Sequence, residues 1–319
     1  MSPWTAADMP DCSERTVAVT GANSGLGFEA TEAFARKGAT VVMACRSVDR
    51  GRDAADEIGR SVPDADLDVR ECDLADLSSV AAFAERVRED YDALHALCNN
   101  AGVMAIPRRE TADGFETQLG VNHFGHFALT GHLLDLLVAT DGETRIVTQS
   151  SGAHEAGDVD FEDLHREASY DKWEAYGQSK LANLLFAYEL QRRLAAAGID
   201  GTKSVACHPG YADTNLQARG PEVEGSRVKL YAMKAANAVF AQSAQRGALP
   251  MLYAATADGV DGGDYVGPGG FLNMRGYPEV QRSNDTSYDR DRARRLWDVS
   301  EDLTGVTYDE TLAVAPDPA

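Results

Sequence analysis

The segment Thr20-Gly21-Ala22-Asn23-Ser24-Gly25-Leu26-Gly27 is the part of this sequence that says most about its fold. It follows a short β-branched run at residues 16–20, which predicts a strand, and leads into a helical pattern at residues 26–37. Gly21 allows a tight turn, whereas Gly25 and Gly27 allow close approach of a dinucleotide and close packing of the helix on the sheet. The first N–H groups of that helix would then face a pyrophosphate.

Strands and helices alternate outward from this turn. The predicted strands cover residues 16–20, 40–44, 66–71, 94–98, 145–149, 204–207 and 263–266, and the predicted helices cover residues 26–37, 48–60, 78–88, 115–138, 173–197 and 289–303. Most of the strands are short continuous apolar runs, as expected where helices cover both faces of a parallel sheet. We therefore predict an α/β Rossmann fold: a single doubly wound parallel sheet of about seven strands with helices on both faces.

One catalytic domain is predicted to span residues 15–275, since no internal repeat or low-complexity linker divides it. Residues 1–14 are predicted to form an N-terminal arm. Residues 276–319 are predicted to form a C-terminal extension packed on the domain, and its last four residues, Pro-Asp-Pro-Ala, are expected to fray.

The composition is strongly acidic. Fifty-one Asp and Glu residues oppose 30 Lys and Arg residues, which gives a formal net charge of -21, and only six of the basic residues are Lys. Because salt screens the resulting self-repulsion, we interpret the chain as the enzyme of a halophile; an ordinary acidic surface is the alternative. Binding to nucleic acid is disfavoured because the phosphates would be repelled.

The sequence predicts a cytoplasmic protein with reduced cysteines. No apolar run is long enough to span a membrane, and the N-terminus lacks the basic and apolar regions of a signal peptide. The five cysteines are scattered and form no CxxC motif. His123, His126 and His132 fall in one predicted helix without acidic or cysteine partners, so no metal site is predicted.

Further motifs follow the glycine-rich turn in a fixed order: Asn99-Asn100-Ala101-Gly102, Ser151, Tyr176-x-x-x-Lys180 and Pro209-Gly210. Together they resemble the short-chain dehydrogenase/reductase family over nearly the whole chain. The sequences at residues 44–46, 121–126, 179–183 and 300–305 resemble its retinol-dehydrogenase-like and protochlorophyllide-reductase-like branch. The resemblance implies an NADP(H)-dependent oxidoreductase that interconverts an alcohol and a carbonyl by hydride transfer, with a tyrosine as general acid/base.

Tyr176 and Lys180 are four residues apart in a predicted helix and therefore share one face. A free tyrosine has a pKa of about 10, and an adjacent ammonium is expected to lower it towards the working range. The resemblance implies that Tyr176 transfers the proton. It also implies that Lys180 lowers the pKa of Tyr176 and binds the nicotinamide ribose. It also assigns Ser151, rather than Ser150, to the substrate oxygen and Asn122 to the proton relay.

The residues at the end of the second predicted strand favour NADP(H) as the cofactor, and NAD(H) is the alternative. An acidic residue here would hold the ribose hydroxyls of NAD, but the chain has Cys45 and Arg46, and a guanidinium suits a 2′-phosphate. The alternative is that Arg46 points to solvent, and Asp73 could equally cap a helix. The resemblance implies further cofactor-binding residues: Gly21, Asn23, Ser24, Gly25, Leu26, Gly27, Asp73, Leu74, Asn100, Ala101, Gly102, Tyr176, Lys180, Pro209, Gly210 and Thr214.

Residues 216–244 are predicted to form a flap over the site. Their apolar side chains favour an apolar small-molecule substrate, unless they pack on the core: Leu230, Tyr231, Met233, Val239 and Phe240. A homodimer is compatible with the sequence. Two other functions stay open: a non-catalytic NADP-binding sensor or partner-binding module on the same fold, and a reductase of a pyrrole-ring double bond.

Overall fold

A central sheet organises the part of the chain that the structure, a computed structural model, describes, namely residues 3–211 and 242–313. Its strands are β1 Thr16–Thr20, β2 Thr40–Cys45, β3 Asp66–Glu71, β4 Ala96–Asn99, β5 Thr144–Gln149, β6 Thr202–Cys207, β7 Tyr265–Pro268 and β8 Pro278–Gln281. Their order in the sheet is β3-β2-β1-β4-β5-β6-β7-β8. The order reverses beside β1, so the carboxyl ends of β1 and β4 open a crevice.

All neighbouring strands from β3 to β7 are parallel, which confirms the predicted doubly wound Rossmann sheet. An eighth strand, which the sequence did not predict, lies within the segment expected to form the C-terminal extension. This strand, β8, runs antiparallel to β7, with Tyr265 opposite Gln281. Its four residues, Pro-Glu-Val-Gln, are too few to show a clear strand pattern.

The described helices are α1 Gly25–Arg36, α2 Val48–Ser61, α3 Leu77–Asp90, α4 Thr117–Leu119, α5 Gly125–Ala139, α6 Lys172–Ala196, α7 Ala244–Thr256, α8 Arg290–Thr304 and α9 Asp309–Leu312. The single helix predicted over residues 115–138 is interrupted. A π-helical segment, Gly120–Phe124, joins α4 to α5. Such segments are rare and are frequent at functional sites.

Both faces of the sheet are buried, which explains the continuous apolar runs of its inner strands. In β2, Val41 and Met43 belong to the core on the side of α1 and α7, whereas Val42 and Ala44 belong to the core on the side of α3 and α5. The two edge strands, β3 and β8, are the exceptions, because most of their side chains are exposed or half-buried.

Both ends of the described chain pack on this core. In the arm, Met9 and Cys12 are buried, and the Trp4 ring meets Tyr253 edge-on with centroids 5.2 Å apart. In the extension, Trp297 of α8 packs against Phe127 of α5, at 5.2 Å between ring centroids. The extension therefore covers the helices on one face of the sheet. The predicted fraying end, residues 316–319, lies outside the described residues.

Candidate active site

The glycine-rich turn joins β1 to α1 at the crevice. Gly21 has φ of +67°, and a Cβ on Gly27 would lie 2.3 Å from the carbonyl oxygen of Gly21, so the turn requires glycine at both positions. Ser24 precedes α1 in an extended conformation and makes no side-chain capping bond. The first N–H groups of α1 are therefore not capped by Ser24, and this geometry suits an anion.

A cleft of about 200 Å³ opens in front of this turn. It brings together most of the residues predicted to bind the cofactor: Gly21, Asn23, Ser24, Gly25, Leu26, Arg46, Asp73, Leu74, Asn100, Ala101 and Gly102. Thr214 lies outside the described residues. The cleft thus joins the carboxyl ends of β1, β2 and β4 with the loop after β3.

Two arginines line the cleft beyond the end of β2. Arg46 follows the strand directly, and Arg50 lies one turn later, in α2. Among the described residues no carboxylate forms an ion pair with either guanidinium, whereas the neighbouring Arg52 pairs with Asp49 at 3.6 Å. The sequence prediction missed Arg50, although its spacing of four residues from Arg46 could have revealed it. Both arginines are available to an anionic ligand.

Asp73 is not the cap of the following helix. Asp76 caps α3 by accepting hydrogen bonds from Ser78 N and Ser79 N. The Asp73 carboxylate instead accepts a hydrogen bond from Ala75 N at 3.0 Å. The alternative of a capping role is therefore wrong for Asp73, which lines the cleft.

The loop after β4 is held by Thr20 at the end of β1. Its hydroxyl accepts hydrogen bonds from Asn100 N and Ala101 N, each at 2.9 Å. The Asn100 side chain donates to the Thr20 carbonyl at 2.7 Å. The buried His126 ring lies 2.9 Å from the same hydroxyl, through Nε2. This network fixes one wall of the cleft.

Tyr176 and Lys180 lie in the first half of α6, and both are buried. Lys180 Nζ donates to the carbonyl of Gln149 at 3.2 Å and lies 5.8 Å from the centroid of the Tyr176 ring. Burial lowers the pKa of Lys180 to about 8. A Cβ on Gly102 would lie 3.6 Å from Lys180 Nζ, so the ammonium faces the loop that lines the cleft.

The expected lowering of the Tyr176 pKa is wrong for this arrangement. Burial raises the pKa of Tyr176 to about 12, and the hydrogen bond with Ser151 opposes only part of that rise. Removing the phenol from water disfavours its charged form more than the surrounding groups favour it. The phenol of Tyr176 is therefore in its protonated form at neutral pH.

The two serines after β5 differ in their surroundings. Ser150 is buried, and its hydroxyl donates to the Lys180 carbonyl at 2.8 Å, which ties β5 to α6. Ser151 begins a short helical turn and accepts a hydrogen bond from Ala153 N at 3.2 Å. Of these two serines, Ser151 is the one whose side-chain hydrogen bond with the Tyr176 phenol opposes the rise in the Tyr176 pKa.

Asn122 lies at the centre of the π-helical segment. Its side chain accepts from Val103 N at 2.8 Å and donates to Val103 O and to Ser179 Oγ, each at 2.9 Å. A Cβ on Gly102 would lie 2.9 Å from Asn122 Oδ1. The π turn therefore brings the Asn122 amide against the backbone of the cleft wall.

Pro209 and Gly210 follow β6. Gly210 has φ of +65°, and a Cβ there would lie 2.4 Å from the Met274 carbonyl, so the turn requires glycine. The Pro209 carbonyl accepts a hydrogen bond from Gln242 at 2.6 Å. Neither residue lines the cleft itself.

The histidines of the π-helical segment and α5 are buried or half-buried: His123 and His126 are each 1% exposed, and His132 is half-buried. The buried His123 bonds Ser300 Oγ at 2.9 Å, and burial lowers the pKa of His123 to about 3. Within residues 3–211 and 242–313, no group of His, Cys, Asp and Glu could hold a metal ion. In the same ranges, no helix is long and apolar enough to cross a membrane. All five cysteines are free and buried.

Comparison with known proteins gives one consistent family. Residues 15–224 match the family described as short chain dehydrogenase. Human Retinol dehydrogenase 12 is 38% identical over 297 residues, covering 92% of this chain and 88% of that protein. An uncharacterised protein from Mycobacterium paratuberculosis has a crystal structure with a TM-score of 0.79 and 42% identity, covering 96% and 99% of the two chains.

A third relative was solved with a nucleotide. It comes from Beutenbergia cavernae, is described as an NAD(P)-dependent gluconate 5-dehydrogenase, and holds NADP at low occupancy. It is 27% identical, with a TM-score of 0.58, and the match covers 76% of this chain and 89% of that one.

Proposed function

The chain belongs to the short-chain dehydrogenase family and is an NAD(P)-dependent oxidoreductase, and from this premise we propose that it reduces a carbonyl to an alcohol with NADPH. The observation that carries the proposal is the placement of the Tyr176 phenol against Ser151 and beside Lys180, whose Nζ lies 5.8 Å from the centroid of the Tyr176 ring. A proton donor at neutral pH suits reduction, in which the new alcohol oxygen must gain a proton.

The cleft fits a dinucleotide. Gly21 and Gly27 leave room that a Cβ would fill, and the N-terminus of α1 offers N–H groups to a pyrophosphate. Arg46 and Arg50 would bind a 2′-phosphate, and no acidic residue stands at the end of β2 to hold the free ribose hydroxyls of NAD. The bound NADP of the Beutenbergia relative agrees with this choice. When bound, the reduced nicotinamide supplies a hydride to the carbonyl carbon.

Side chains of this protein would orient the substrate, donate the proton and stabilise the resulting charge. Ser151 would hydrogen-bond the carbonyl oxygen and orient it towards Tyr176, which donates its phenolic proton to that oxygen. The Lys180 ammonium would stabilise the phenolate left behind. Asn122 would hold the loop that contains Gly102 against α6, and this contact would keep Lys180 positioned next to the cleft.

The test is steady-state reduction of an aldehyde and ketone panel with NADPH and with NADH. Retinaldehyde belongs in the panel because the human relative is named a retinol dehydrogenase. Ser151→Ala should lower kcat by roughly 10²-fold or more, the size of a lost oxyanion donor. Ser150→Ala, which removes the bond to the α6 backbone instead, should lower stability and leave most of kcat. No turnover of any carbonyl, or equal losses in both variants, would contradict the proposal.

A further inference from the structure

Gln118 lies in α4, directly before the π-helical segment, and it is fully buried. Its amide oxygen accepts a hydrogen bond from Ala105 N at 2.7 Å. Its amide nitrogen donates to the Tyr170 hydroxyl at 2.8 Å and to the Lys172 carbonyl at 2.9 Å. A backbone N–H can only donate and a carbonyl can only accept, so these partners fix the orientation of the amide. The three bonds join α4 to two other segments of the chain.

One of these segments is the loop after β4, which forms a wall of the nucleotide cleft. Val103 of this loop lines the cleft, and Ala105, two residues later, is buried with φ of +50°. A left-handed backbone is unfavourable for a residue with a Cβ, so it persists only where neighbouring contacts hold it. The bond from Ala105 N to Gln118 is such a contact. Gln118 therefore holds this loop in its observed shape.

The other segment is the start of α6, the helix that contains Tyr176. Lys172 is the first residue of α6, and Tyr176 follows four residues later. Helical hydrogen bonds join the carbonyl of one residue to the N–H four residues on, so the Lys172 carbonyl lies at the base of the turn that carries Tyr176. Gln118 bonds this carbonyl from outside the helix. The Gln118 amide thus connects the cleft wall to the turn that presents the phenol.

A buried carboxylate holds Gln118 and its tyrosine partner. Glu116 is fully buried, and its carboxylate accepts hydrogen bonds from Gln118 N at 2.9 Å and from Leu119 N at 2.8 Å. The Tyr170 hydroxyl lies 3.1 Å from the same carboxylate and 2.9 Å from the Ile106 carbonyl. Buried polar networks whose members are satisfied make their surroundings rigid. Gln118 therefore belongs to a rigid part of the molecule.

Asn122 makes a second bridge of the same kind, four residues after Gln118. Its side chain bonds Val103 in the loop after β4 and Ser179 in α6. The two bridges reach α6 on either side of Tyr176. Two separated contacts define both the position and the tilt of the helix segment between them. Gln118 and Asn122 together therefore set where Tyr176 lies relative to the cleft wall.

We propose that Gln118 is a positioning residue for carbonyl reduction, because it fixes the turn of α6 that carries Tyr176 against the cleft wall. The proposal rests on the proposed function, in which the phenol must meet the carbonyl oxygen while the nicotinamide meets the carbon. A displacement of about 1 Å is enough to slow catalysis by roughly 10²-fold. Gln118 is fully buried and acts through Tyr176. The predicted flap, of which residues 216–241 lie outside the described residues, has no part in it.

The first experiment measures kcat for carbonyl reduction at saturating NADPH in Gln118→Met, which keeps the side-chain length and removes the hydrogen bonds. The value of kcat should fall roughly 10- to 100-fold. Gln191→Met is the matched control, since Gln191 lies in the second half of α6 and accepts from Ser204 N at 2.8 Å, away from the cleft. Both variants should lower the melting temperature, but Gln191→Met should keep most of kcat. Equal losses of kcat in the two variants would overturn the proposal.

A double-mutant cycle separates action through Tyr176 from a general loss of structure. In Tyr176→Phe, the added Gln118→Met should cost little further kcat, because the proton donor that Gln118 positions is already absent. The same fold loss in both backgrounds would contradict the proposal. If Gln118→Met does not fold, Tyr170→Phe takes its place in the cycle. It removes one partner of the Gln118 amide and should lower kcat roughly threefold in the wild type only.

A wild type that turns over no carbonyl would contradict the proposed reduction instead. Hydrogen exchange followed by mass spectrometry then decides the role of Gln118. The peptide covering residues 172–180 should exchange faster in Gln118→Met, or in Tyr170→Phe in its place, than in Gln191→Met. Equal exchange of that peptide in the compared variants would show that Gln118 does not fix the start of α6.

Discussion

The side chain of Asn122 is bonded to both backbone polar atoms of Val103, at 2.8 Å from Val103 N to Oδ1 and 2.9 Å from Nδ2 to Val103 O. The same amide donates to Ser179 Oγ. One residue of the π-helical segment thus joins the cleft wall to α6. These hydrogen bonds satisfy the polar atoms of the buried Asn122 amide, and they are compatible with the predicted role of Asn122 in a proton relay.

Asn122→Ala should therefore lower stability as well as activity. It leaves the polar backbone atoms of Val103 without their partner, at about 1–3 kcal/mol for each buried atom. Urea unfolding followed by circular dichroism would measure the loss of unfolding free energy. An unchanged free energy together with a lowered kcat would mean that Asn122 acts in the chemistry and not in holding the loop.

Arg46→Ala should weaken NADPH binding by roughly 1.5–3 kcal/mol, the scale of a hydrogen bond to a charged group. Arg50→Ala should weaken it as well, because both side chains line the same part of the cleft. NADH binding should barely change in either variant, as measured by titration calorimetry. Arg52→Ala is the control, since Arg52 is exposed and pairs with Asp49. Equal losses for NADPH and NADH would rule out binding of the 2′-phosphate.

Tyr176→Phe removes the proton donor and keeps the ring. It should lower kcat for carbonyl reduction by at least about 10²-fold, within the usual range of general acid catalysis. NADPH affinity should stay near that of the wild type, because the hydroxyl bonds Ser151 rather than the cleft wall. Undiminished turnover in this variant would exclude Tyr176 as the acid.

The pH dependence of reduction should report Lys180. Its pKa is lowered to about 8, so the ammonium that supports the phenolate is lost as pH rises through that value. The pKa of Tyr176, at about 12, keeps the phenol protonated throughout this range. We expect kcat/KM to fall above about pH 8 in the wild type. The Lys180→Arg variant, whose guanidinium stays charged, should be less active, but its kcat/KM should not fall above about pH 8. If the variant and the wild type have the same pH profile, the fall in kcat/KM reports a group other than Lys180.

Salt should stabilise the fold and speed cofactor binding. At about 0.01 M ionic strength the Debye length is roughly 30 Å, so the uncompensated acidic charges repel one another across the domain and repel the NADP phosphates. Melting temperature and cofactor on-rate should both rise from 0.1 to 2 M KCl. Screening is nearly complete by about 1 M, so a further rise would come from ion exclusion or hydration. A flat or falling melting temperature would show that the acidic surface is no salt adaptation.

Features that depend on local geometry were predictable from the sequence. Gly21 and Gly27 are required by a backbone angle and a close contact, and both were predictable from the turn between a strand and a helix. The spacing of Tyr176 and Lys180 placed them on one helix face, because helical periodicity depends only on the chain itself. The apolar runs predicted buried parallel strands for the same reason.

Features that depend on the surroundings of each group became visible only in three dimensions. Burial from all sides raised the pKa of Tyr176, where the sequence showed only the nearby Lys180. The antiparallel β8 and the contact of the π turn at Asn122 with Ser179 of α6 likewise arise from segments far apart in the chain. Desolvation and hydrogen-bond satisfaction are sums over neighbours in space, and a linear pattern does not contain those neighbours.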